Sequence, residues 1–307
     1  MQYIRGIENY ENANRTAITL GKFDGLHLGH QMLIEKVMSY QRTEDVDSVV
    51  FAFDMRPLYQ KMQKDYQGLM SHTERIYSLD DKVDYLVECP FEPHISNMDA
   101  KTFIEEVLVK KFHAKYIVVG TDFRFGYHRQ GNCHMLETFA KKYDFHVDVI
   151  EKKCYGEREI SSTYIKEELV KGEIAFANTL LGYHYTFSGE VVHGRKLGRT
   201  IGIPTMNLLV DGEKVLPPNG VYLCDCTIDH QIFHGICNLG QKPTVVEQGE
   251  TLLEVHALDY QGDAYGKNVN VHLLDPVREE KKFASVEELK SVMEADIKYS
   301  KKYFDII

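Results

Sequence analysis

Residues 21–30 read Gly-Lys-Phe-Asp-Gly-Leu-His-Leu-Gly-His, and this stretch decides the fold of the first half of the chain. It follows the apolar run of a predicted strand at 16–20 and precedes a predicted helix at 28–40, whose apolar residues fall on one face. His27 and His30 therefore lie at a strand-to-helix junction, where unpaired N–H groups and the helix dipole favour an anion. The two histidines predict either a phosphate site or a metal pair.

Strands and helices continue to alternate as far as residue 150. Strands are predicted at 46–53, 115–119 and 145–150, and helices from the capping pattern at Ser71 towards Val87, from Asp99, and at 136–143. This order is typical of a doubly wound α/β domain with a parallel, Rossmann-like sheet. Because such sheets bind ligands beyond the carboxyl ends of their strands, the candidate loops are 21–30, 53–57 and 120–126.

Ile160-Ser161-Ser162-Thr163 opens the next predicted helix, which ends near Lys171. Consecutive hydroxyl side chains at a helix start commonly cap its free N–H groups. A second interpretation is a phosphate clamp, in which the hydroxyl groups act together with Lys166 one turn further on. The residues alone leave both interpretations open.

The pattern changes near residue 183. Short β-branched or alternating stretches at 185–192, 220–228, 231–238, 251–259 and 268–275 are separated by turn signals, which predicts an antiparallel barrel. Ser285 and Glu288 predict the cap of a final helix. The predicted domains are therefore residues 1–182 and residues 183–307.

The second half has its own dense stretch of candidate site residues. Three glycines and several cations lie within 193–202, which is typical of either a basic hairpin or a loop that binds phosphate. Thr205 and Asn207 point to the same side of an extended chain, and such oxygen donors beside nucleotide phosphates suit Mg²⁺. Glu254 lies among apolar strand residues, where a carboxylate is either paired structurally or a general base.

Composition narrows the class of protein. The chain has 307 residues, enough for two domains, and a net charge of −10, which argues against non-specific nucleic-acid binding. It has no apolar run of membrane-spanning length, so no membrane span is predicted, and its first residues lack the apolar core expected of a signal peptide. Its six cysteines match neither a zinc pattern nor a disulfide framework, so we expect reduced thiols in a cytoplasmic protein.

Together these motifs resemble the bifunctional bacterial riboflavin kinase/FMN adenylyltransferase (FAD synthetase) family. In the first half the resemblance rests on residues 21–30, Phe53-Asp54-Met55-Arg56-Pro57, Gly120-Thr121-Asp122-Phe123-Arg124-Phe125-Gly126 and Ile160-Ser161-Ser162-Thr163. In the second half it rests on residues 193–207, Pro218-Asn219-Gly220-Val221-Tyr222, Asn238-Leu239-Gly240-Gln241-Lys242-Pro243-Thr244 and Glu254. The resemblance is specific because all these motifs occur in the family's order over nearly the whole chain.

The resemblance implies a nucleotidylyltransferase domain followed by a six-stranded flavokinase barrel. It also implies two reactions that use Mg²⁺. The C-terminal half would convert riboflavin and ATP to FMN and ADP, and the N-terminal half would convert FMN and ATP to FAD and pyrophosphate. The expected partners are ATP, riboflavin, FMN and FAD, with no nucleic acid and no membrane, while a weak homo-oligomer is left open.

The resemblance further implies the roles of individual residues. In the N-terminal half, His27 and His30 would act at the α-phosphate, with nucleotide-binding residues Gly21, Phe23, Asp24, Gly29, Ser162, Thr163 and Lys166 and flavin-binding residues Asp54, Asp122 and Phe123. In the C-terminal half, Glu254 would be the base, with phosphate-binding residues Gly194, Lys196, Gly198 and Arg199 and Mg²⁺ ligands Thr205 and Asn207. A zinc site at the two histidines would need further ligands, which no neighbouring pattern supplies.

Four residues, in three motifs, depart from the usual pattern of the family. Met55-Arg56 stands in place of Pro-His, Lys166 in place of an arginine, and Met206 in place of an alanine. Lysine keeps the charge of arginine but not its planar fork. Two alternatives follow, namely a kinase with an impaired or regulatory N-terminal half and a flavin-binding regulator without turnover. A relative of the class I aminoacyl-tRNA synthetases is more distant, because the chain lacks their Lys-Met-Ser-Lys-Ser loop.

Overall fold

The computed structural model describes residues 1–194, 197–241 and 251–306. It divides the chain into two compact units. The first unit comprises Met1–Gly68 and His72–Ser162, and the second comprises Leu69–Ser71 and Thr163–Ile307. The functional division after residue 182 stays a prediction.

The first unit is built on a parallel sheet. Its strands are β1 (Gln2–Arg5), β2 (Thr16–Gly21), β3 (Asp47–Asp54), β4 (Tyr85–Pro90), β5 (Ala114–Gly120), β6 (Arg124–Phe125), β7 (Gly131–Asn132), β8 (His146–Ile150), β9 (Cys154–Tyr155) and β10 (Arg158–Glu159). Six of them form the sheet in the order β1-β4-β3-β2-β5-β8, with every pair parallel, while β6–β7 and β9–β10 are small antiparallel ribbons. The predicted Rossmann-like α/β domain is confirmed.

Helices cover both faces of this sheet. They are α1 (Leu28–Thr43), α2 (Arg56–Lys61), α3 (His72–Leu79), α4 (Pro93–Ser96), α5 (Ala100–Thr102) and α6 (Cys133–Tyr143), and α5 continues as a π-helical segment at Phe103–Lys111. The predicted cap at Asp99 is confirmed, because its side chain accepts a 3.0 Å hydrogen bond from the backbone N–H of Thr102. The larger core packs the π-helical segment and α6 against one face, whereas α1 covers the other face through Val37.

The predicted helix from Ser71 towards Val87 is wrong in its second half. Helix α3 ends at Leu79, and the following residues include Asp81 at φ +60°, a left-handed conformation that does not continue a helix. Tyr85–Pro90 is instead β4, with four buried residues between β1 and β3. A position inside a parallel sheet therefore decides the conformation of this apolar run.

The second unit is a closed antiparallel barrel. Its strands are β11 (Thr186–Val192), β12 (Met206–Leu209), β13 (Gly220–Ile228), β14 (Gln231–Gln241), β15 (Thr251–Ala257) and β16 (Asn268–Glu279), in the order β11-β12-β15-β14-β13-β16. The six-stranded barrel that the resemblance implies is confirmed. Strand spacing alone predicts only five of these strands, because β12 has just four residues.

The remaining helices are α7 (Ser162–Lys171), α8 (Ile174–Leu181), α9 (Leu197–Thr200) and α10 (Val286–Tyr303). The predicted capping pattern at the start of α10 is confirmed. The Ser285 hydroxyl accepts a 3.1 Å hydrogen bond from the N–H of Glu288, and the Glu288 carboxylate accepts one of 2.8 Å from the N–H of Ala284. These reciprocal bonds satisfy two N–H groups that the helix leaves unpaired.

Candidate active sites

The loop after β2 folds tightly over the carboxyl end of its own strand. Phe23 is fully buried and has a φ of +48°, which is unusual for a residue with a side chain. A Cβ atom at Gly21 would lie only 3.3 Å from Cε2 of the Phe23 ring, so glycine allows the ring to fold back over the strand. The Phe23 ring centroid lies 5.0 Å from that of His30. The loop thus places an aromatic ring next to the His30 side chain.

His27 and His30 stack on each other at the start of α1. Their ring centroids are 3.7 Å apart with an interplanar angle of 23°, and His27 is the N-cap residue of the helix. A Cβ atom at Gly29 would lie 3.2 Å from Cε1 of His27, so the intervening glycine leaves room for the stacked pair. Both Nδ1 atoms are buried and have no hydrogen-bond partner within the described part of the chain.

Both imidazole rings are held neutral by their surroundings. Burial lowers the pKa of His27 from 6.5 to about 4, although the Asp24 carboxylate opposes the shift. Burial also lowers the pKa of His30 well below 6.5, and the nearby His27 and Arg75 lower it further. Neutral rings at neutral pH can donate hydrogen bonds to phosphate oxygens without carrying charge of their own.

Ser162 joins this loop from a position far along the chain. Its hydroxyl donates a 2.8 Å hydrogen bond to the backbone carbonyl of the buried Asp24. The structure thus brings two of the sequence motifs together in the first unit. Thr163 and Lys166, the other predicted members of the clamp, belong to the second unit.

The predicted flavin residue Asp54 lies at the carboxyl end of β3, next to β2. Its carboxylate is buried and accepts two hydrogen bonds from the Arg56 guanidinium, from Nε at 2.7 Å and from Nη2 at 2.9 Å. Burial by itself would raise the pKa of Asp54, but the hydrogen bonds and charges of Arg56, with the charge of Arg5, hold it below its usual value. Asp54 is therefore an ionised hydrogen-bond acceptor. Its orientation is held by Arg56, one of the residues that depart from the family pattern.

The predicted flavin residues Asp122 and Phe123 follow β5, on the other side of β2. Asp122 is exposed, and Nζ of Lys152 lies 2.9 Å from its carboxylate and 2.6 Å from that of Glu159. The Phe123 ring stacks on Phe125 with centroids 5.5 Å apart. Sequence reasoning missed Lys152, which ties the loop after β5 to the β9–β10 ribbon. No motif distinguishes this lysine from other surface lysines.

In the barrel, Asn207 and Glu254 are direct partners across β12 and β15, and Glu254 is also the register partner of Asn238 on β14. Directly opposed residues point to the same face of a sheet, so the carboxylate stands between two amide side chains. Leu253 and Val255 alternate with Glu254 and are buried in the barrel. Asn238 belongs to one of the motifs on which the resemblance to the family rests, but only the strand register reveals that it adjoins Glu254.

Two glycines bring the neighbouring loop against the predicted Mg²⁺ ligands. A Cβ atom at Gly194 would lie 2.4 Å from Nδ2 of Asn207, and one at Gly198 would lie 2.2 Å from the carbonyl oxygen of Ile203 and 3.4 Å from Oγ1 of Thr205. At Gly198 the obstacle is backbone, so a side chain there would force the chain to shift, whereas at Gly194 the end of the Asn207 side chain would have to give way. The loop backbone consequently lies directly on the Thr205–Asn207 segment.

Arg199 and His193 meet at the ring of Tyr265. The Arg199 guanidinium carbon lies 5.2 Å from the Tyr265 ring centroid, and the His193 ring centroid lies 4.0 Å from it. The predicted phosphate ligand Lys196 lies outside the described residues, as does the Lys242–Thr244 part of the motif at 238–244. Among the described residues, no cluster of three or more His, Cys, Asp or Glu side chains has a metal-binding arrangement.

Comparison with known proteins gives the two halves separate matches. A family model described as FAD synthetase matches residues 9–164, and one described as riboflavin kinase matches residues 181–304. Both halves thus fall within classes of nucleotide-dependent transferases. The helices that the structure describes include none that is long and apolar enough to cross a membrane.

Relatives match the chain over its whole length. The bifunctional riboflavin kinase/FMN adenylyltransferase of Haemophilus influenzae is 37% identical over 99% of this chain and 100% of its own, and that of Escherichia coli K12 is 34% identical over 100% and 99%. The chain therefore belongs to the bifunctional riboflavin kinase/FMN adenylyltransferase family, which confirms the resemblance. The crystal structure of a protein named macrolide-efflux protein from Streptococcus pneumoniae is also similar, with a TM-score of 0.85 and 29% identity over 98% of this chain and 99% of that one.

Proposed function

We propose that this chain makes FMN from riboflavin and ATP in its C-terminal half, and then FAD from FMN and ATP in its N-terminal half. Membership of the family supports the pair of reactions. The observation that carries the proposal is that each half has its own set of polar groups. One set is the stacked His27–His30 pair at a helix start, and the other is Glu254 between Asn207 and Asn238.

Adenylyl transfer needs positioning more than it needs a base. The terminal phosphate of FMN is already a nucleophile at neutral pH, and it attacks the α-phosphate of ATP as pyrophosphate leaves. Neutral imidazole N–H groups at a helix N-terminus suit the charge that develops on the α-phosphate. We assign His27 and His30 this role, and we assign Ser162, Thr163 and Lys166 to the departing pyrophosphate. Gly21, Phe23, Asp24 and Gly29 would shape the nucleotide site.

The flavin would bind beyond β3 and β5, on either side of the β2 loop. Asp54 offers an ionised acceptor that Arg56 holds in place, and Lys152 holds the Asp122 carboxylate. Phe123 offers an aromatic surface that already stacks on Phe125. These three residues suit a flat ring system with polar edges, which is the chemistry of an isoalloxazine.

Phosphorylation of riboflavin does need a base, because the nucleophile is a ribityl hydroxyl group. We propose that Glu254 takes the hydroxyl proton as the oxygen attacks the γ-phosphate of ATP and ADP departs. The flanking Asn207 and Asn238 would orient the carboxylate and the substrate. Gly194, Lys196, Gly198 and Arg199 would line the loop that covers the phosphates.

The metal site proposed at Thr205 and Asn207 suits Mg²⁺ in chemistry. The Asn207 side chain lies opposite the Glu254 carboxylate, the Thr205 hydroxyl precedes it by two residues, and the glycine loop lies directly against both; hard oxygen donors are what Mg²⁺ prefers. Bound Mg²⁺ would neutralise charge on the transferring phosphoryl group. The side chains of Thr205 and Asn207 point to the same side of an extended segment, so one ion could contact the oxygens of both.

We propose residues 1–182 and 183–307 as the two functional domains and the cytoplasm as the location. The six cysteines are all free thiols, which supports a reducing compartment. Whether the chain forms a weak homo-oligomer is a separate question for sedimentation measurements.

A single assay tests the proposed function. The purified protein is incubated with riboflavin, ATP and Mg²⁺, and flavins are separated by chromatography. We expect FMN to appear first and FAD to follow, and EDTA to stop both. FMN without FAD would support a kinase whose N-terminal half is impaired or regulatory, and flavin binding without either product would support a regulator.

A further inference from the structure

Lys152 follows β8 and bridges two carboxylates that come from separate parts of the first unit. Its Nζ atom lies 2.9 Å from Oδ2 of Asp122 and 2.6 Å from Oε2 of Glu159. The first carboxylate belongs to the loop after β5, where we propose that the flavin binds, and the second belongs to β10. One ammonium group thus holds both carboxylates close together.

The Asp122 carboxylate is fixed through both of its oxygens. Oδ1 lies 3.4 Å from the position that a Cβ atom of Gly120 would take, and Oδ2 faces Lys152. The backbone of the same loop is also fixed, because the N–H of Thr121 donates a 3.2 Å hydrogen bond to the carbonyl of Ile150 at the end of β8. Lys152 therefore sets the direction of a carboxylate on a loop that is already anchored.

The Glu159 side of the bridge leads to the histidine loop, residues 21–30. Glu159 pairs with Cys154 in the β9–β10 ribbon, and the N–H of the next residue, Ile160, donates a 2.9 Å hydrogen bond to the carbonyl of Lys153. Ile160 is buried, and its carbonyl oxygen lies 3.9 Å from the position that a Cβ atom of Gly29 would take. The second strand of the ribbon thus runs from the bridge directly onto the histidine loop.

Ser162 completes this connection. Its hydroxyl donates a 2.8 Å hydrogen bond to the carbonyl of Asp24, a buried residue of the histidine loop. Only three residues separate Ser162 from Glu159, and three residues of extended chain span at most about 10 Å. A displacement of Glu159 is therefore transmitted to Ser162 over a short, hydrogen-bonded stretch of backbone.

The bridge contributes little to the stability of the fold. Exposed ion pairs are weak because water screens the charges and long side chains lose freedom. Lys152 is about one-third exposed, and the side chains of Asp122 and Glu159 are more than half exposed. Without the cation between them, however, the two carboxylates would repel each other and move apart. The bridge consequently fixes a relative position rather than a folded state.

We propose that Lys152 is a positioning residue for FAD synthesis, which holds the flavin loop at Asp122 in register with the phosphate-binding Ser162 through Glu159. The inference rests on the proposed FAD synthesis. Adenylyl transfer needs the FMN phosphate and the α-phosphate of ATP in line, and a misplacement of about 1 Å in such an arrangement is costly in rate. An ammonium group has three N–H donors, enough to bind both carboxylates at once.

Kinetics of FAD formation from FMN and ATP, with the full chain, test the two sides of the bridge separately. K152M keeps the length of the side chain without its charge. We expect KM for FMN to rise about fivefold, because Asp122 loses its orientation, and kcat to fall about fivefold, because Ser162 shifts. E159A breaks only the ribbon side, so it should lower kcat and leave KM for FMN nearly unchanged. K152R, whose guanidinium can bind both carboxylates, should keep most of the activity.

Double variants show whether Lys152 acts through these residues. In a D122A background K152M should change KM for FMN by less than about twofold, and in an S162A background it should change kcat by less than about twofold. K110M is the matched control. It removes an exposed lysine whose 2.6 Å ion pair with Glu106 lies on the π-helical segment, and it should leave FAD formation unchanged. FMN formation from riboflavin should be normal in every variant.

Each outcome has a distinct meaning. A folded K152M variant with the KM and kcat of wild type would overturn the inference and leave the bridge an exposed ion pair only. Effects of K152M that persist in full in both double variants would also overturn it, whereas effects that vanish there would support it. If K152M does not fold by circular dichroism, E159A with and without S162A carries the comparison. Wild-type protein that makes no FAD from FMN would instead remove the proposed reaction itself.

Discussion

Asn207 and Glu254 face each other directly across β12 and β15 of the barrel, although 46 residues separate them in the chain. This pairing sets a carboxylate beside an amide that also touches the glycine loop, since a Cβ atom at Gly194 would lie 2.9 Å from the Asn207 oxygen. The proposed base, metal ligand and phosphate loop of the kinase reaction thus share one contact region. Each of the three can be changed independently.

Replacing Glu254 by glutamine should abolish FMN formation and spare FAD formation from supplied FMN. Glutamine keeps the shape of the side chain but cannot accept the hydroxyl proton, so we expect a loss of about 10²–10⁴-fold in kcat. Separate assays with riboflavin and with FMN as substrate measure this. E213Q, at an exposed glutamate in the same unit, is the matched control and should keep both activities. A fully active E254Q variant would remove Glu254 from the mechanism.

Replacing His30 by alanine should have the opposite effect. Losing one preorganised donor costs about 3–4 kcal/mol of barrier, so FAD formation from FMN should fall by about 10²–10³-fold while FMN formation continues. H134A, which alters a strongly exposed histidine on α6, provides the control. Equal loss of both activities in a folded H30A variant would contradict two separate sites.

Gly29 should tolerate alanine poorly for a local reason. The added Cβ would lie 3.2 Å from Cε1 of His27, so the stacked ring must shift by a few tenths of an ångström. We expect FAD formation to fall by about three- to tenfold, because catalysis is sensitive to displacements of this size. G212A has no atom within 4 Å of the new Cβ and should behave as wild type. Identical rates for G29A and G212A would show that the fit around His27 is unimportant.

Replacing Gly194 by alanine should impair the kinase reaction for a similar local reason. An alanine Cβ would come within 2.4 Å of Nδ2 of Asn207, so either the loop or the amide must move. FMN formation should fall by about 10²-fold, with FAD formation from FMN unchanged. The same G212A variant is the control, and titration of Mg²⁺ in the assay should show that G194A needs a higher concentration. Normal kinetics at wild-type Mg²⁺ concentrations would separate the loop from the metal site.

Acid should destabilise the first unit through its histidines. Because the pKa of His27 is about 4 in the folded protein and 6.5 when exposed, the unfolded chain binds a proton between these pH values that the folded protein excludes. The free energy of unfolding therefore falls as the pH drops from 6.5 to 4, by roughly 3 kcal/mol at most from His27. His30 acts in the same direction.

Urea unfolding at a series of pH values measures this dependence. H27N should flatten the slope between pH 6.5 and 4, whereas H134A should retain it. A slope that is the same in H27N and in wild type would contradict the burial of a neutral His27 ring.

Local patterns predicted most elements of the fold and the main parts of both candidate sites. They failed at β4, because the helical pattern that begins at Ser71 extends into a segment that pairs with β1 and β3 as a strand. They also missed β1, a short strand that exists because β4 offers it a partner. In both cases non-local pairing decides the conformation, and a window of neighbouring residues holds no information about it.

The site shows the same division between local and non-local information. His27, His30 and Gly29 form a local motif, so the sequence reveals them together. Ser162 on Asp24, Asn238 beside Glu254 and Lys152 on Asp122 are contacts that only the fold creates. Arg56 was visible as a departure from the family pattern, but its two hydrogen bonds to Asp54 were not.

Complementation between two inactive variants tests most directly whether one chain carries two independent and consecutive sites. E254Q and H30A are each incubated with riboflavin, ATP and Mg²⁺, alone and mixed, and FAD is measured by chromatography. Two independent sites predict no FAD from E254Q alone, only FMN from H30A alone, and FAD from the mixture, as FMN released by one variant is used by the other. If the mixture makes FMN but no FAD, although E254Q still converts supplied FMN to FAD, consecutive use of a released intermediate is contradicted. If either variant alone makes FAD from riboflavin at the wild-type rate, the assignment of its site is contradicted.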